Sequence, residues 1–160
     1  MRQHLATMSA IMLPGRFTAI LQVIRTSDWP ELDSKRRPNA KSTGQLREEL
    51  APLLGQTTLR PSGQELIIGA ALLWHDHLEA AHTIAQQTDT TDGSLLHGMM
   101  HRREPDYGNA RYWFQRASQH RCYPTIARCV TAFLQDQDER LCQRLLPGGA
   151  SEHRIRRISA

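Results

Sequence analysis

The stretch from residue 63 to residue 87 constrains the fold more than any other part of the chain. It contains no proline and is rich in helix-forming residues, above all alanine and leucine, with glutamine and glutamate as well. Because most of these residues favour helices, the sequence predicts one long helix here, with Ser62 and Glu65 as a capping box at its start. Residues 66–74 are apolar nearly all round, so this helix should run through the middle of the domain.

The other periodic segments favour helices as well. They cover residues 17–25, 45–54, 95–103, 107–119 and 123–134, with a short one at 139–146. No β-branched alternating run bounded by turn residues occurs in the sequence. We therefore predict an all-α, single-domain bundle of about six helices with one long central helix, spanning residues 1–150. Residues 151–160 should form a flexible basic C-terminal tail.

Several polar residues stand where a helix should begin. Ser42 or Thr43 precedes the helix at 45–54, and Asp106 precedes the helix at 107–119. Asp92 or Ser94 can cap the helix at 95–103. Such side chains accept hydrogen bonds from the free amides of the first turn, and so fix where a helix begins.

Composition narrows the class of protein. Lysine and arginine number 20 against 16 acidic residues, which gives a formal charge of +4 and a mild preference for anionic partners. We expect the basic run at residues 35–37 to be a solvated loop. The three cysteines lack the spacing of a zinc knuckle, and their odd number does not fit a disulfide scaffold, so a cytoplasmic location is expected. No apolar run reaches the ~18 to 20 residues of a membrane span.

Histidines and carboxylates repeat at helical spacing in two places. The first set is His75, Glu79 and His82, and the second is His97, His101 and Glu104. Residues at these spacings project from one face of a helix. Imidazole with carboxylate suits divalent transition metals, so we predict a Zn, Fe or Mn site. Its predicted ligands are His75, His82, His97 and His101.

The same region, residues 66–124, supplies further groups for an enzyme. Glu79 or Glu104 is expected as a further ligand or the general base, with Tyr107 also in the catalytic set. We expect the site to hold a small anionic substrate through guanidinium and amide groups. The predicted substrate-binding residues are Arg102, Arg103, Arg111 and Asn109. The predicted activity is that of a metal-dependent hydrolase, lyase or oxygen-using enzyme, and a homo-oligomer is left open.

Three other functional interpretations of this region remain open. The histidines alternatively serve only as buried hydrogen-bonding residues, or as acids and bases without a metal. The chain is alternatively a non-catalytic module that binds a small anion through Arg102, Arg103, Arg111 and Tyr107, with nucleic acid a less favoured ligand. Asp76 is expected to pair with one of these arginines. Nucleophilic catalysis is less favoured, because all three cysteines lie outside the central stretch.

A signature within residues 66–124 resembles that of an uncharacterised bacterial protein family. It consists of Trp74-His75-Asp76, Ala81-His82 and the run HRREPDYGNARYWF at residues 101–114. The long run is the specific part of this resemblance. The resemblance implies no particular activity.

Overall fold

The computed structural model describes residues 15–137, and within them helices joined by loops are the only regular secondary structure. The helices are α1 (Gly15–Ile24), α2 (Thr43–Leu54), α3 (Pro61–Trp74), α4 (Leu78–Gln86), α5 (Thr91–Arg103), α6 (Tyr107–Arg116) and α7 (Tyr123–Gln137). The predicted all-α, single-domain class is confirmed, with seven helices in this part of the chain. The helix predicted at 139–146 and the tail at 151–160 lie outside the described residues. Within 15–137, no helix has both the length and the apolar character that crossing a membrane requires.

The predicted continuous helix over residues 63–87 is wrong. The structure breaks it between Trp74 and Leu78 into α3 and α4. Asp76, in the break, has a backbone φ of 65°, which lies in the left-handed region that a helix interior never adopts. Helix propensity gives no sign of this break, because the cause is a set of contacts with distant residues.

Asp76 is buried between two arginines. Its Oδ2 accepts hydrogen bonds from Arg37 Nε at 2.7 Å and from the Arg37 amide at 3.0 Å, and its Oδ1 accepts one from Arg103 Nη2 at 2.7 Å. The two guanidinium groups also donate to the carbonyls of Trp74 and Leu73, where α3 ends. Hydrogen bonds between charged groups are the strong ones, and they outweigh the continuity of the helix. The predicted pairing of Asp76 with an arginine is confirmed for Arg103, whereas the solvated loop predicted at 35–37 is wrong for Arg37.

Local capping fixes two helix starts as predicted. Ser42 accepts a hydrogen bond from the Gln45 amide, and the Gln45 side chain accepts one from the Ser42 amide, which completes a capping box for α2. Asp106 caps α6 by accepting a hydrogen bond from the Asn109 amide at 3.2 Å. Each cap satisfies amides that have no partner within the helix.

Two other helix starts differ from the prediction. Helix α5 begins four residues early at Thr91, because Thr90, rather than Asp92 or Ser94, provides the cap. Helix α3 begins at Pro61, without a side-chain cap, so the capping box predicted at Ser62 is wrong. Proline is favoured at the first helical position because it lacks the amide that would be unpaired there.

The core brings α4 and α5 together against α3. Leu46, Leu50, Leu72 and Met100 are almost completely buried within it. At Gly69 a Cβ atom would lie 2.7 Å from Leu96 Cδ2 and 3.2 Å from Ile84 Cγ2. A larger residue at position 69 would therefore require the Leu96 side chain to shift, so glycine favours this approach of α3 to α4 and α5. The close packing sets α4 beside α5 and so positions their histidines.

Candidate metal centre

Helices α4 and α5 bring three of the predicted ligands together. His82 lies on α4, while His97 and His101 lie one turn apart on α5. One ring nitrogen from each imidazole lies within 4.8 Å of those of the other two. Spacing of four residues aligns His97 with His101, and the packing of α4 on α5 adds His82 from the other side.

Aromatic rings hold this group in place. The His82 ring meets the rings of His97 and His101 edge to face, at centroid distances of 4.7 and 5.1 Å. Trp113, on α6, stacks on His97 at 3.9 Å with only 17° between the ring planes. Helix α6 packs so closely here that a Cβ atom on Gly98 would lie 2.7 Å from Phe114 Cδ1. The group therefore has an aromatic wall on the α6 side.

The two histidines of α5 are buried with unsatisfied nitrogens. His97 is 2% exposed and His101 8% exposed, and the Nδ1 atom of each is buried without a hydrogen-bond partner among the described residues. Glu104 Oε2 approaches His101 Nδ1 to 3.3 Å, outside hydrogen-bond geometry. Burial, followed by the positive charges that His82 and His101 can carry, lowers the pKa of His97 to about 4. The ring of His97 is therefore neutral at pH 7, which is the form that binds metals.

The arrangement resembles the ligand set of a catalytic zinc site more than that of a structural one. Three histidines leave a position for water or substrate on a four-coordinate ion. With bonds of about 2.1 Å to a zinc ion, tetrahedral ligand nitrogens lie about 3.4 Å apart, so these rings would have to close by up to ~1.4 Å to hold such an ion. His97 and His101 are nearly parallel, with 13° between their planes. One of them must also tilt, since a metal lies in the plane of each imidazole that binds it.

The structure does not bring His75 into this group. Its ring is fully buried, Nδ1 accepts a hydrogen bond from the Lys41 amide at 3.0 Å, and Nε2 donates to the Ile24 carbonyl at 3.0 Å. The pKa of His75 lies below its ordinary value, and burial is the main cause. With both nitrogens engaged by backbone, His75 ties the end of α1 and the start of α2 to the corner between α3 and α4. It is a structural residue here, because the break at Asp76 separates it from the face of α4.

Of the predicted catalytic residues, the structure brings Glu104 next to the three histidines but does not bring Glu79 or Tyr107 there. Glu104, at the end of α5, lies beside His101, and Asp106 Oδ2 lies 3.9 Å from the same Nδ1. Glu79 is exposed in the first turn of α4 and does not belong to the group of metal-binding candidates. Tyr107 is 59% exposed, and the guanidinium of Arg102 lies over its ring at 4.7 Å. Glu104 is thus the predicted base that the structure places next to a candidate ligand.

The predicted substrate-binding residues also separate. Arg103 is buried, and its guanidinium donates to Asp76, to the Leu73 carbonyl and to the Asp33 carbonyl, which leaves it unsuited to an anionic substrate. Arg102 and Arg111 are exposed. The side-chain amide of Asn109 donates from Nδ2 to Asp106 Oδ2 at 2.7 Å, in addition to the backbone hydrogen bond that caps α6. The alternative module that uses all three arginines together loses Arg103 for the same reason.

Sequence reasoning missed one constellation of functional groups. Asp92, which we considered only as a helix cap, lies against His120, and His120 in turn lies against Cys122. The signal available in the sequence is the spacing of His120 and Cys122, two residues apart after α6. Asp92 is 28 residues from His120 along the chain, so no local pattern links them.

Comparison with known proteins identifies no relative of this chain. No protein-family model, no curated protein and no solved structure matches the chain. The resemblance of residues 101–114 to a bacterial family therefore stays a prediction. The side chains around His97 are the basis on which a function can be proposed.

Proposed function

We propose that the chain binds one divalent transition metal through His82, His97 and His101 and acts as a metal-dependent enzyme. The observation that carries this proposal is the convergence of three imidazole nitrogens, two of them on buried rings whose Nδ1 atoms have no hydrogen-bond partner within residues 15–137. A buried polar atom without a hydrogen bond costs about 1 to 3 kcal/mol. Binding of an ion at these rings offsets such a cost.

The donor set limits the metal and its chemistry. Of the three predicted metals, Zn and Fe suit neutral imidazoles better than Mn does, and Zn²⁺ is the ion most often held by three histidines with a fourth position open. A metal in such a site supplies an activated water for hydrolysis or a Lewis acid for lyase chemistry. Glu104 Oε2 lies 3.3 Å from His101 Nδ1, and this proximity supports a role in orienting His101 or in taking a proton from a group bound nearby.

The substrate we propose is a small anion. Arg102 and Arg111 follow the α5 histidines in sequence, are exposed, and are the predicted cations that Asp76 does not engage. A guanidinium binds carboxylate or phosphate in a two-point fashion, which suits the recognition of a small anion. Arg103 has no part in this role because it completes the buried network around Asp76.

A zinc-binding titration tests the metal site. Protein purified without a histidine tag and stripped with EDTA is titrated with Zn²⁺ by calorimetry, together with His82→Ala, His101→Gln and His77→Gln. All three variants have seven histidines, so differences between them do not reflect the number of imidazoles. His77 is the matched control, because its Nε2 bonds the Lys41 carbonyl at 2.7 Å, away from the site.

Wild type and His77→Gln should bind one equivalent of Zn²⁺ with equal affinity. Loss of a second-shell partner costs about 10- to 100-fold in metal affinity, so loss of His82 or His101 should cost more than 100-fold. Elemental analysis of the purified protein checks the stoichiometry. Equal weak binding by all four proteins, with no tight equivalent of Zn²⁺, Mn²⁺ or Fe²⁺ in wild type, would refute the site.

A further inference from the structure

A second cluster of reactive side chains lies at the turn between α6 and α7. His120, in this turn, is 7% exposed. Its Nε2 lies 2.6 Å from Asp92 Oδ1, in the first turn of α5, and its Nδ1 lies 2.9 Å from Cys122 Sγ. None of these three residues belongs to the proposed metal centre. A thiol, an imidazole and a carboxylate in this order are the parts of a nucleophilic site.

The hydrogen bonds fix which nitrogen of His120 carries the hydrogen. An ionised carboxylate can only accept, so Nε2 donates to Asp92. Nδ1 accepts a hydrogen bond from the backbone amide of Cys122 at 3.2 Å, so Nδ1 is the unprotonated nitrogen and carries the lone pair. The same lone pair faces the Cys122 thiol. His120 is thus held in the tautomer that a general base needs, with the carboxylate behind it, as in a catalytic triad.

The turn that presents His120 also forms a cavity. The cavity is largely open to solvent and measures about 420 Å³. Asp92, Ser118, Gln119 and His120 are among its lining residues, whereas Cys122 lies outside this lining. Ser118 has a backbone φ of 52°, a strained conformation that redirects the chain after α6. Cys122 is half-buried beside the imidazole. The volume lies in the range of small-molecule sites, about 300 to 1,000 Å³.

The thiol is protonated before it reacts. Burial, and with it the negative charge of Asp92, raises the pKa of Cys122 above its ordinary value. A thiolate is therefore not the resting form of Cys122. The thiol has to pass its proton to His120 as it attacks, as the serine hydroxyl does in a serine hydrolase.

We propose that Cys122, His120 and Asp92 form an acyl-transfer site that hydrolyses esters or thioesters of small carboxylic acids. Sγ of Cys122 attacks the carbonyl carbon while its proton moves to Nδ1 of His120. The bond to the leaving alcohol or thiol breaks, and that group takes the proton from His120. Water, deprotonated by His120, then attacks the new thioester, releases the carboxylic acid and returns the proton to Sγ.

Acetylation by p-nitrophenyl acetate tests the site. The reaction is run in EDTA, so that metal-bound hydroxide cannot contribute and failure of the metal proposal has no bearing on the result. Nitrophenolate release gives the rate, and peptide mass spectrometry gives the position of the acetyl group. Cys129, which is free and exposed, is an internal control for an ordinary thiol.

We expect Cys122 to be acetylated at least about 10-fold faster than Cys129, since general-base catalysis contributes 10²- to 10⁴-fold. The acetyl group should then be lost by hydrolysis. Cys122→Ala should abolish the fast phase, Cys129→Ala should leave it unchanged, and His120→Asn should slow it at least about 10-fold.

His120 is buried, so Asp92→Asn supplies a second variant that preserves the shape of the side chain. Circular dichroism establishes that each variant is folded, and Asp92→Asn should slow the fast phase several-fold. Equal acetylation of Cys122 and Cys129 in wild type would overturn the proposal. A Cys122 rate unchanged in folded Asp92→Asn, or an acetyl group that wild type never hydrolyses, would overturn it as well.

Discussion

Replacement of Asp76 should show how much of the stability depends on the buried network at the corner between α3 and α4. The carboxylate has no exposed side-chain surface, and it receives a 2.7 Å hydrogen bond from each of two guanidinium groups. Asp76→Asn keeps the shape of the side chain, and asparagine tolerates the left-handed backbone at this position. The variant removes the negative charge and replaces one of the two accepting oxygens with an NH2 group that faces a guanidinium. Arg103 then loses its carboxylate partner, while Arg37 keeps only the more distant Asp28, whose Oδ1 lies 3.7 Å from Arg37 Nη1.

The expected loss follows from this geometry. Removal of one partner of a buried ion pair costs about 3 to 5 kcal/mol, because the remaining charge is uncompensated. Typical domains are stable by only about 5 to 15 kcal/mol, so Asp76→Asn should unfold at a much lower urea concentration. Asp76→Ala should be worse by about 1 kcal/mol, since alanine tolerates a φ of 65° less well.

Urea unfolding at pH 7, followed by circular dichroism at 222 nm, measures the effect. Asp89→Asn is the matched control, because it removes the same charge from an exposed pair, in which Asp89 Oδ1 lies 3.0 Å from Arg116 Nη2. Exposed pairs of this kind contribute little, so the control should unfold like wild type. If Asp76→Asn unfolds at the same urea concentration as Asp89→Asn, the buried network does not hold the corner.

The network also has a pH signature. Burial raises the pKa of Asp76, but the hydrogen bonds from Arg37 and Arg103 outweigh it and hold the pKa below its ordinary value. The folded state therefore releases this proton more readily than the unfolded state does. Its contribution to stability is complete above the ordinary pKa near 3.9, and is lost as the pH falls through the lower folded pKa. In Asp76→Asn this part of the acid destabilisation should disappear.

Two further predictions concern the histidine group and its packing. Burial lowers the pKa of His97 to about 4 from an unfolded value near 6.5, so the unfolded state takes up this proton first as the pH falls. The free energy of unfolding of the metal-free protein should therefore decrease by up to about 3 kcal/mol as the pH falls from about 6.5 to about 4, which urea unfolding in EDTA can measure. This loss should be absent in His97→Gln, and an unchanged pH profile in that variant would contradict the assignment. Gly98→Ala should lower the free energy of unfolding by about 1 to 3 kcal/mol, because its Cβ would lie 2.7 Å from Phe114 Cδ1. At Gly44 in α2 a Cβ would meet only Ser42 Oγ at 4.0 Å, an ordinary contact, so Gly44→Ala should raise the melting temperature. Equal melting temperatures for the two glycine variants would show that α6 gives way without cost.

Local sequence was sufficient for the helical class and for part of the candidate site. Helical periodicity and capping depend on residues within one or two turns, and for this reason Ser42 and Asp106 could be identified as caps from sequence. The same local rule placed His97 and His101 on one face of a helix, and the structure shows their rings stacked at 4.9 Å. These features follow from the geometry of a single helix, which needs no information about its neighbours.

Tertiary contacts decided the rest. Asp76 ends α3 because it meets Arg37 and Arg103, which are 39 and 27 residues away along the chain, and no propensity of the segment itself reports such partners. At the resulting corner the His75 ring hydrogen-bonds to backbone groups of Lys41 and Ile24, whereas the His82 ring contacts His97 and His101 of α5. His120 likewise finds its carboxylate 28 residues away. The partners of a side chain depend on which elements pack together. A buried charge must be paired with an opposite charge, and this requirement can interrupt a helix that the local sequence favours.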